Sequence, residues 1–197
     1  MLTKLFGGNP QKKSWKWFAA HADDLAAITR GDEPILDEVT EALHKVNPGL
    51  SFEIGLASTG QLEFFVSANG RRALFPAVEE LVASAPPIPN WRITAFKQPK
   101  DDDLGIVYDG FELSTGDIWF ASRPRAGLVD LTLYIRGMTA NNKKAAMGAS
   151  FVLLDNALGE YLTATGIGEL DWQPLPDDPA AQGLQPLSTI GAVVGKG

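Results

Sequence analysis

Two apolar periodicities stand close together in residues 128–158, and they constrain the fold more than anything else in the chain. Leu128-Val129-Asp130-Leu131-Thr132-Leu133-Tyr134-Ile135 carries the branched and aromatic residues of a half-buried β-strand. Ala146, Ala149, Ser150, Leu153, Leu154, Ala157 and Leu158 then recur at three- and four-residue spacing, the buried face of a long helix. Thr139 stands where a cap for that helix is expected. A strand and a helix of this strength, joined by a short connection, point to helices packed on a sheet.

The same reading covers the rest of the chain. Trp15, Phe18, Ala19, Ala22, Leu25, Ala26 and Thr29 predict one amphipathic helix ending near Arg30-Gly31. Ile35, Val39, Ala42, Leu43 and Val46 predict a second, with Asp32 and Glu33 placed to favour its dipole ahead of Pro34. Leu50–Leu56 and Leu62–Ser67, joined across Ser58-Thr59-Gly60, predict a hairpin. Leu74, Val78, Leu81 and Val82 mark a third helix before Pro86-Pro87, and Trp91–Phe96 a strand. A polar loop at Lys100–Asp103 precedes strands at Gly105–Phe111, with a turn inside, and at Asp117–Ala121. A closing strand is expected around Ile167–Trp172.

The order is ααββαβ, then βββαβ. It predicts an α+β fold with an antiparallel or mixed sheet and helices mainly on one face. Both halves contain a hairpin, a helix and a strand, so a duplicated ββαβ unit is one reading of the echo. The other is that α+β chains commonly show this order. A length of 197 residues fits a single domain over 1–197 with a sizeable core. Residues 1–10, with the breakers Gly7-Gly8-Asn9-Pro10, and the Pro-, Gly- and Ala-rich residues 174–197 are expected to be loosely structured.

Charge narrows the partners. Acids outnumber bases 24 to 17, for a net charge of −7 and a pI near 4.8. A phosphate backbone needs a Lys/Arg surface, so nucleic acid is not an expected partner. The run Lys12-Lys13-Ser14-Trp15-Lys16 reads as the solvated face of the first helix. The chain has no cysteine, which excludes disulfides, thiolate metal sites and cysteine nucleophiles. The N-terminus lacks the apolar run of a secretory signal, and no stretch reaches the ~20 apolar residues of a membrane span. A cytoplasmic protein without a membrane partner is expected.

Motifs for chemistry are scarce. His21 and His44 have no second histidine at helical metal spacing, although Asp24 lies three residues after His21. No nucleophile elbow or phosphate loop occurs, and Gly166-Ile167-Gly168 is only a fragment of one. The candidate site is therefore Phe151-Val152-Leu153-Leu154-Asp155-Asn156-Ala157-Leu158-Gly159-Glu160-Tyr161, where two acids and an amide stand among residues that read as core. Buried carboxylates need partners. Asp155 is expected to cap a turn, with Gly159 supplying the positive-φ residue. Alternatively Asp155, Glu160, Glu169 and Asp171 converge on a ligand, a hard cation or a substrate. Among the five tryptophans, Trp15 and Trp17 face different sides of one helix, so one of them should be exposed or contact another element; Trp91 joins them as a candidate contact residue.

On these residues the chain resembles a set of bacterial cytoplasmic proteins of no assigned activity. The likeness lies in Trp15-Lys16-Trp17-Phe18, in Ala85-Pro86 followed by Asn90-Trp91 and Ala95-Phe96-Lys97, and in Leu154–Glu160. The motifs are short but span nearly the whole chain, with departure expected in the C-terminal tail. The resemblance implies one cytoplasmic domain and transfers no catalytic residue. The expected function is a non-enzymatic protein-interaction or regulatory module with no cofactor, no metal and another protein as partner. The alternative is a hydrolase-like enzyme or small-ligand-binding protein using the carboxylates near Asp155 and Glu160. The oligomeric state is not legible in the sequence.

Overall fold

The computed structural model of the protein describes residues 8–57, 59–100 and 103–195. The fraying expected of residues 1–7, and Ser58, Asp101 and Asp102 of the expected turn and loop, lie outside the described residues. The fold is mixed α+β, as the periodicities require. Two compact units make up the chain, Met1–Lys97 and Gln98–Gly197. Each builds its own core around its own sheet.

In the first unit, α1 (Pro10–Ala20), α2 (Ala22–Ala26), α3 (Ile35–His44) and α4 (Phe75–Ala83) accompany the sheet β1-β2-β3 (Ser51–Leu56, Leu62–Ser67, Trp91–Ala95). β1 and β2 form the expected hairpin, and β3 returns through α4 to lie parallel to β2. The core is aromatic. Phe64 meets Phe18 at 4.6 Å, Phe52 at 5.5 Å and Trp15 at 6.3 Å between ring centroids.

Two local expectations change here. The first helix is not continuous to Arg30. It breaks at His21 (φ −116°), whose Nδ1 donates to the Trp17 carbonyl at 2.8 Å and whose ring stacks on Trp17. A side chain that competes for a helix carbonyl disrupts the helix there. The described end of the expected frayed segment is also ordered: Asn9 caps α1, its side chain accepting the Gln11 N–H, with Pro10 at the first helical position.

Glu33 does something other than favour the α3 dipole. Its carboxylate turns back and accepts the N–H groups of Thr29 (2.9 Å), Arg30 (3.0 Å) and Gly31 (2.8 Å). Those donors, Thr29 first, hold its pKa at about 2, down from 4.5. A depressed folded pKa means stability present above about pH 4.5 and lost as pH falls through about 2. Glu33→Gln is therefore expected to be less stable than wild type at neutral pH. The two should converge near pH 2 in urea melts; a gap that stays constant with pH refutes this role.

In the second unit, a two-stranded ribbon, β4-β5 (Gly105–Tyr108, Phe111–Ser114), accompanies a four-stranded sheet. That sheet has the order β8-β7-β6-β9 (Ile167–Pro174, Leu128–Ile135, Ile118–Arg125, Gln185–Pro186). The helix α5 (Lys143–Gly166) links β7 to β8, which run parallel, while β6 and β7 are antiparallel. Both units thus contain hairpin, helix and a strand parallel to the second hairpin strand, the echo read in the sequence. The elements around that motif differ from the expected order.

The α5 helix begins at Lys143, and Thr139 does not cap it. The Asn142 side chain instead ties the preceding turn, accepting the Thr139 N–H and donating to the Gly137 carbonyl. The described part of the C-terminal tail is not loose. β9 pairs with β6, and Leu187, Ile190 and Val194, the last in α6 (Gly191–Val194), are buried against the same core as Phe120, Leu133 and Leu154. Composition suggested a loose segment, but three apolar side chains anchor it.

The glycines of 166–168 serve the turn into β8. The β7–β8 register slips between Val129 and Leu131. The buried Asp130 carboxylate accepts the Glu169 N–H at 2.8 Å, and a Cβ on Gly168 would collide with it. Arg123 pairs with Asp130 at 2.8 Å, and Arg125 bridges Asp130 and Glu169. The Glu169 amide first, then Arg123, hold the Asp130 carboxyl below its ordinary range.

Candidate functional site

The inner face of α5 is the one read from the sequence. Ala146, Ala149, Ser150, Leu153, Leu154 and Leu158 are buried. At Gly159 the helix breaks: φ 74° and ψ 157° lie in a region that side chains avoid. Gly159 supplies the expected positive φ, but the chain resumes its helical path rather than ending it. The Thr163 hydroxyl donates to the Gly159 carbonyl at 2.9 Å, securing the restart. Gly159→Ala is expected to cost about 1–3 kcal/mol, the range for backbone held in such a region. A thermal melt unchanged by that substitution is incompatible with the break as described.

The residues around the break separate. Glu160, 1 % exposed, is buried behind it, while Asp155 is half-buried on the outer side. The Asn156 carbonyl accepts the Lys100 N–H at 2.8 Å. Its side-chain nitrogen is buried and has no hydrogen-bond partner among the described residues. The four carboxylates do not converge. Glu169 is held by Arg125, and Asp171 accepts the Trp172 N–H on its own strand. Among the described residues no three metal-ligating side chains come together. The physical reason is register: β8 is held to β7 through Asp130, and that pins Glu169 beside the arginines.

Tryptophans divide similarly. Trp15 is buried and its indole N–H donates to the Leu81 carbonyl at 2.9 Å. Trp91 is buried and donates to the Ala22 carbonyl at 3.2 Å. Both are core residues rather than the contact surface proposed for them. Trp17, half-buried, lies along a cleft of about 420 Å³ with Lys13, Glu38, Glu41 and Lys45. Its charges are mixed, and Glu41 already pairs with Lys45 at 3.9 Å.

A larger cleft, about 670 Å³, lies beside α5 in the second unit. Ala157, Lys100, Asp103, Thr115, Ser188 and Thr189 are on its walls. Asp103 accepts the Thr115 hydroxyl at 2.6 Å and the Thr189 hydroxyl donates to the Pro186 carbonyl. Ser188 has no histidine in its unit to act as base, since both histidines precede residue 98.

The sequence reading counts Phe151 and Val152 with the core, and the structure places them on the outer face of α5 instead. Phe151 (47 % exposed) and Val152 (44 %) project from it, one turn beyond Gly148. Tyr108 (44 %) of β4 packs on Gly148; a Cβ there would collide with its ring. Helical spacing puts Gly148, Phe151, Val152 and Asp155 on one face, and the Phe151 ring also packs on Trp172 of β8 at 5.8 Å between centroids. The signal was available: residues 148, 151, 152 and 155 fall opposite the buried stripe, where polar side chains are the rule. No helix among the described residues is long and apolar enough to cross a membrane. No family model, curated protein or solved structure matches the chain.

Proposed function

We propose that the protein is a non-enzymatic protein-interaction module that docks through the outer face of α5. The observation that carries this is the exposure of three large apolar side chains on or beside that face, Tyr108, Phe151 and Val152, each more than two-fifths exposed. Single exposed apolar residues are ordinary, but contiguous apolar strips rimmed by charge mark contact surfaces. Here exposed Lys144 and half-buried Asp155 share the helix face of Phe151 and Val152 by spacing. The alternative, a ligand held by the carboxylates near Asp155 and Glu160, has less support. Glu160 is buried, and Ala157 rather than Asp155 lines the neighbouring cleft.

The test is site-specific photo-crosslinking in cells. A photoreactive residue at position 151 is expected to give one protein product. The same group at the exposed polar Glu112 should give none. Val152→Glu should abolish the product. Equal labelling from both positions, or a product indifferent to Val152→Glu, overturns the proposal.

A further inference from the structure

One turn of the first unit carries an intrinsic reactivity. Asn69-Gly70 follows β2 and is the single Asn-Gly pair in the chain. Both residues are exposed and have positive φ, 51° and 71°, and the Arg71 N–H closes the turn on the Ala68 carbonyl at 3.2 Å. Positive φ at both central residues marks the type I′ turn that Asn-Gly favours. Asp109-Gly110 and Ala126-Gly127 share those signs, φ 50° and 76° and φ 48° and 83°, but neither carries a side-chain amide.

We propose that Asn69 is a self-modification site, where the chain converts its own asparagine to aspartate and isoaspartate with Ser51 as the activating donor.

The Asn69 carboxamide is held at its oxygen. The Ser51 hydroxyl donates to Asn69 Oδ1 at 3.0 Å. The Asn69 N–H donates to the hydroxyl oxygen of the buried Ser67, also at 3.0 Å. Ser51 and Ser67 are paired residues of the β1–β2 hairpin. Strand register therefore sets the Ser51 hydroxyl against the amide of a turn that lies 18 residues away in sequence. Negative charge collects on Oδ1 when a nucleophile adds to Cγ, and a donor already in place there favours that step. The nucleophile is the nitrogen of the next residue, so no second molecule has to be positioned. Space beside Gly70 is open: an added Cβ would meet no heavy atom within 4 Å.

The Gly70 nitrogen, its proton lost to water, bonds to Cγ as the carbonyl electron pair moves onto Oδ1. Collapse of that oxyanion expels Nδ2, which takes up a proton and leaves as ammonia. Water then opens the cyclic imide. Cleavage between the nitrogen and Cγ gives aspartate. Cleavage between the nitrogen and the Asn69 backbone carbonyl carbon gives isoaspartate, whose main chain runs through Cβ. Water is consumed, ammonia is released and nothing changes oxidation state. Either product puts a carboxylate on the turn, and isoaspartate also lengthens the backbone spanned by the Ala68–Arg71 hydrogen bond.

Mass spectrometry of the full chain, kept folded in mildly alkaline buffer and digested at intervals, tests this. Trypsin releases residues 46–71 as one peptide, and electron-based fragmentation separates aspartate from isoaspartate. Conversion at Asn69 is expected to outpace that at every other asparagine. Ser51→Ala should slow it about three- to tenfold, less than the about 100-fold for a donor in a water-excluded oxyanion hole, because this turn is open to solvent. Ser51→Thr restores a hydroxyl and should restore the rate. In urea the wild type and both variants should convert equally, since the contact exists only in the fold.

Folded wild type that keeps Asn69 intact overturns the proposal. So does a folded Ser51→Ala protein that converts as fast as wild type, or a rate difference that persists in urea. Should Ser51→Ala lose its fold, wild type alone decides: conversion much slower in the folded chain than in the same chain in urea overturns the role of Ser51.

Discussion

Leu154→Ala is expected to lose about 2–5 kcal/mol of stability, the range for truncating a buried leucine. Leu154 has no exposed surface and lies in one cluster with Phe120, Leu133, Ile135 and Leu187. These side chains come from α5, β6, β7 and the C-terminal segment, so no single neighbour can move to fill the space. Removing three carbons there sacrifices transfer energy and leaves a cavity. Leu131→Ala, in the same cluster on β7, should fall in the same range. Urea melts give the value; losses under about 1 kcal/mol for both would misplace the core. The effect should also loosen the C-terminal segment, because Leu187, Ile190 and Val194 are buried on the same surface. Amide exchange in α6 is the readout for that.

Phe64→Ala should cost about 3–5 kcal/mol in the first unit. Phe64 is 1 % exposed and packs against Trp15, Phe18 and Phe52 together. Aromatic pairs of this kind add to the area they bury. The substitution therefore removes a ring and three ring contacts at once. Trp15 should also gain access to solvent, so its fluorescence is expected to shift to the red before the urea transition. Because the chain forms two units, exchange of the β2 amides is the more direct probe than a global melt. Unchanged protection in β2 would contradict the central place of Phe64.

The local elements were largely legible in the sequence. The β1-β2 hairpin, β7 and the buried face of α5 follow from apolar spacing, because side-chain burial has the period of the backbone that carries it. Gly159 was legible too, since its backbone region excludes a Cβ. His21 was misread because its own side chain competes for the Trp17 carbonyl, a contact that apolar spacing does not register. The 174–197 segment was misread because composition counts its prolines and glycines, whereas three well-placed apolar residues hold it down.

The candidate site divides along the same line. From the sequence alone, Phe151–Tyr161 stood out because acids among core residues are costly and need partners. That much is a property of residue type and spacing. Which carboxylate is buried, which faces outward, and which carboxylates meet are matters of register between strands distant in sequence. Asp130 receives the Glu169 amide, and Arg125 then holds the Glu169 side chain; that contact keeps the acidic residues apart. Likewise Phe151 and Val152 are apolar in any reading, but only the packing of α5 on its sheet, with Tyr108 laid over Gly148, decides that they stay exposed. Periodicity within an element is local physics, and the sequence alone determines it; the surface left uncovered is settled by contacts between elements, which form only in the folded chain.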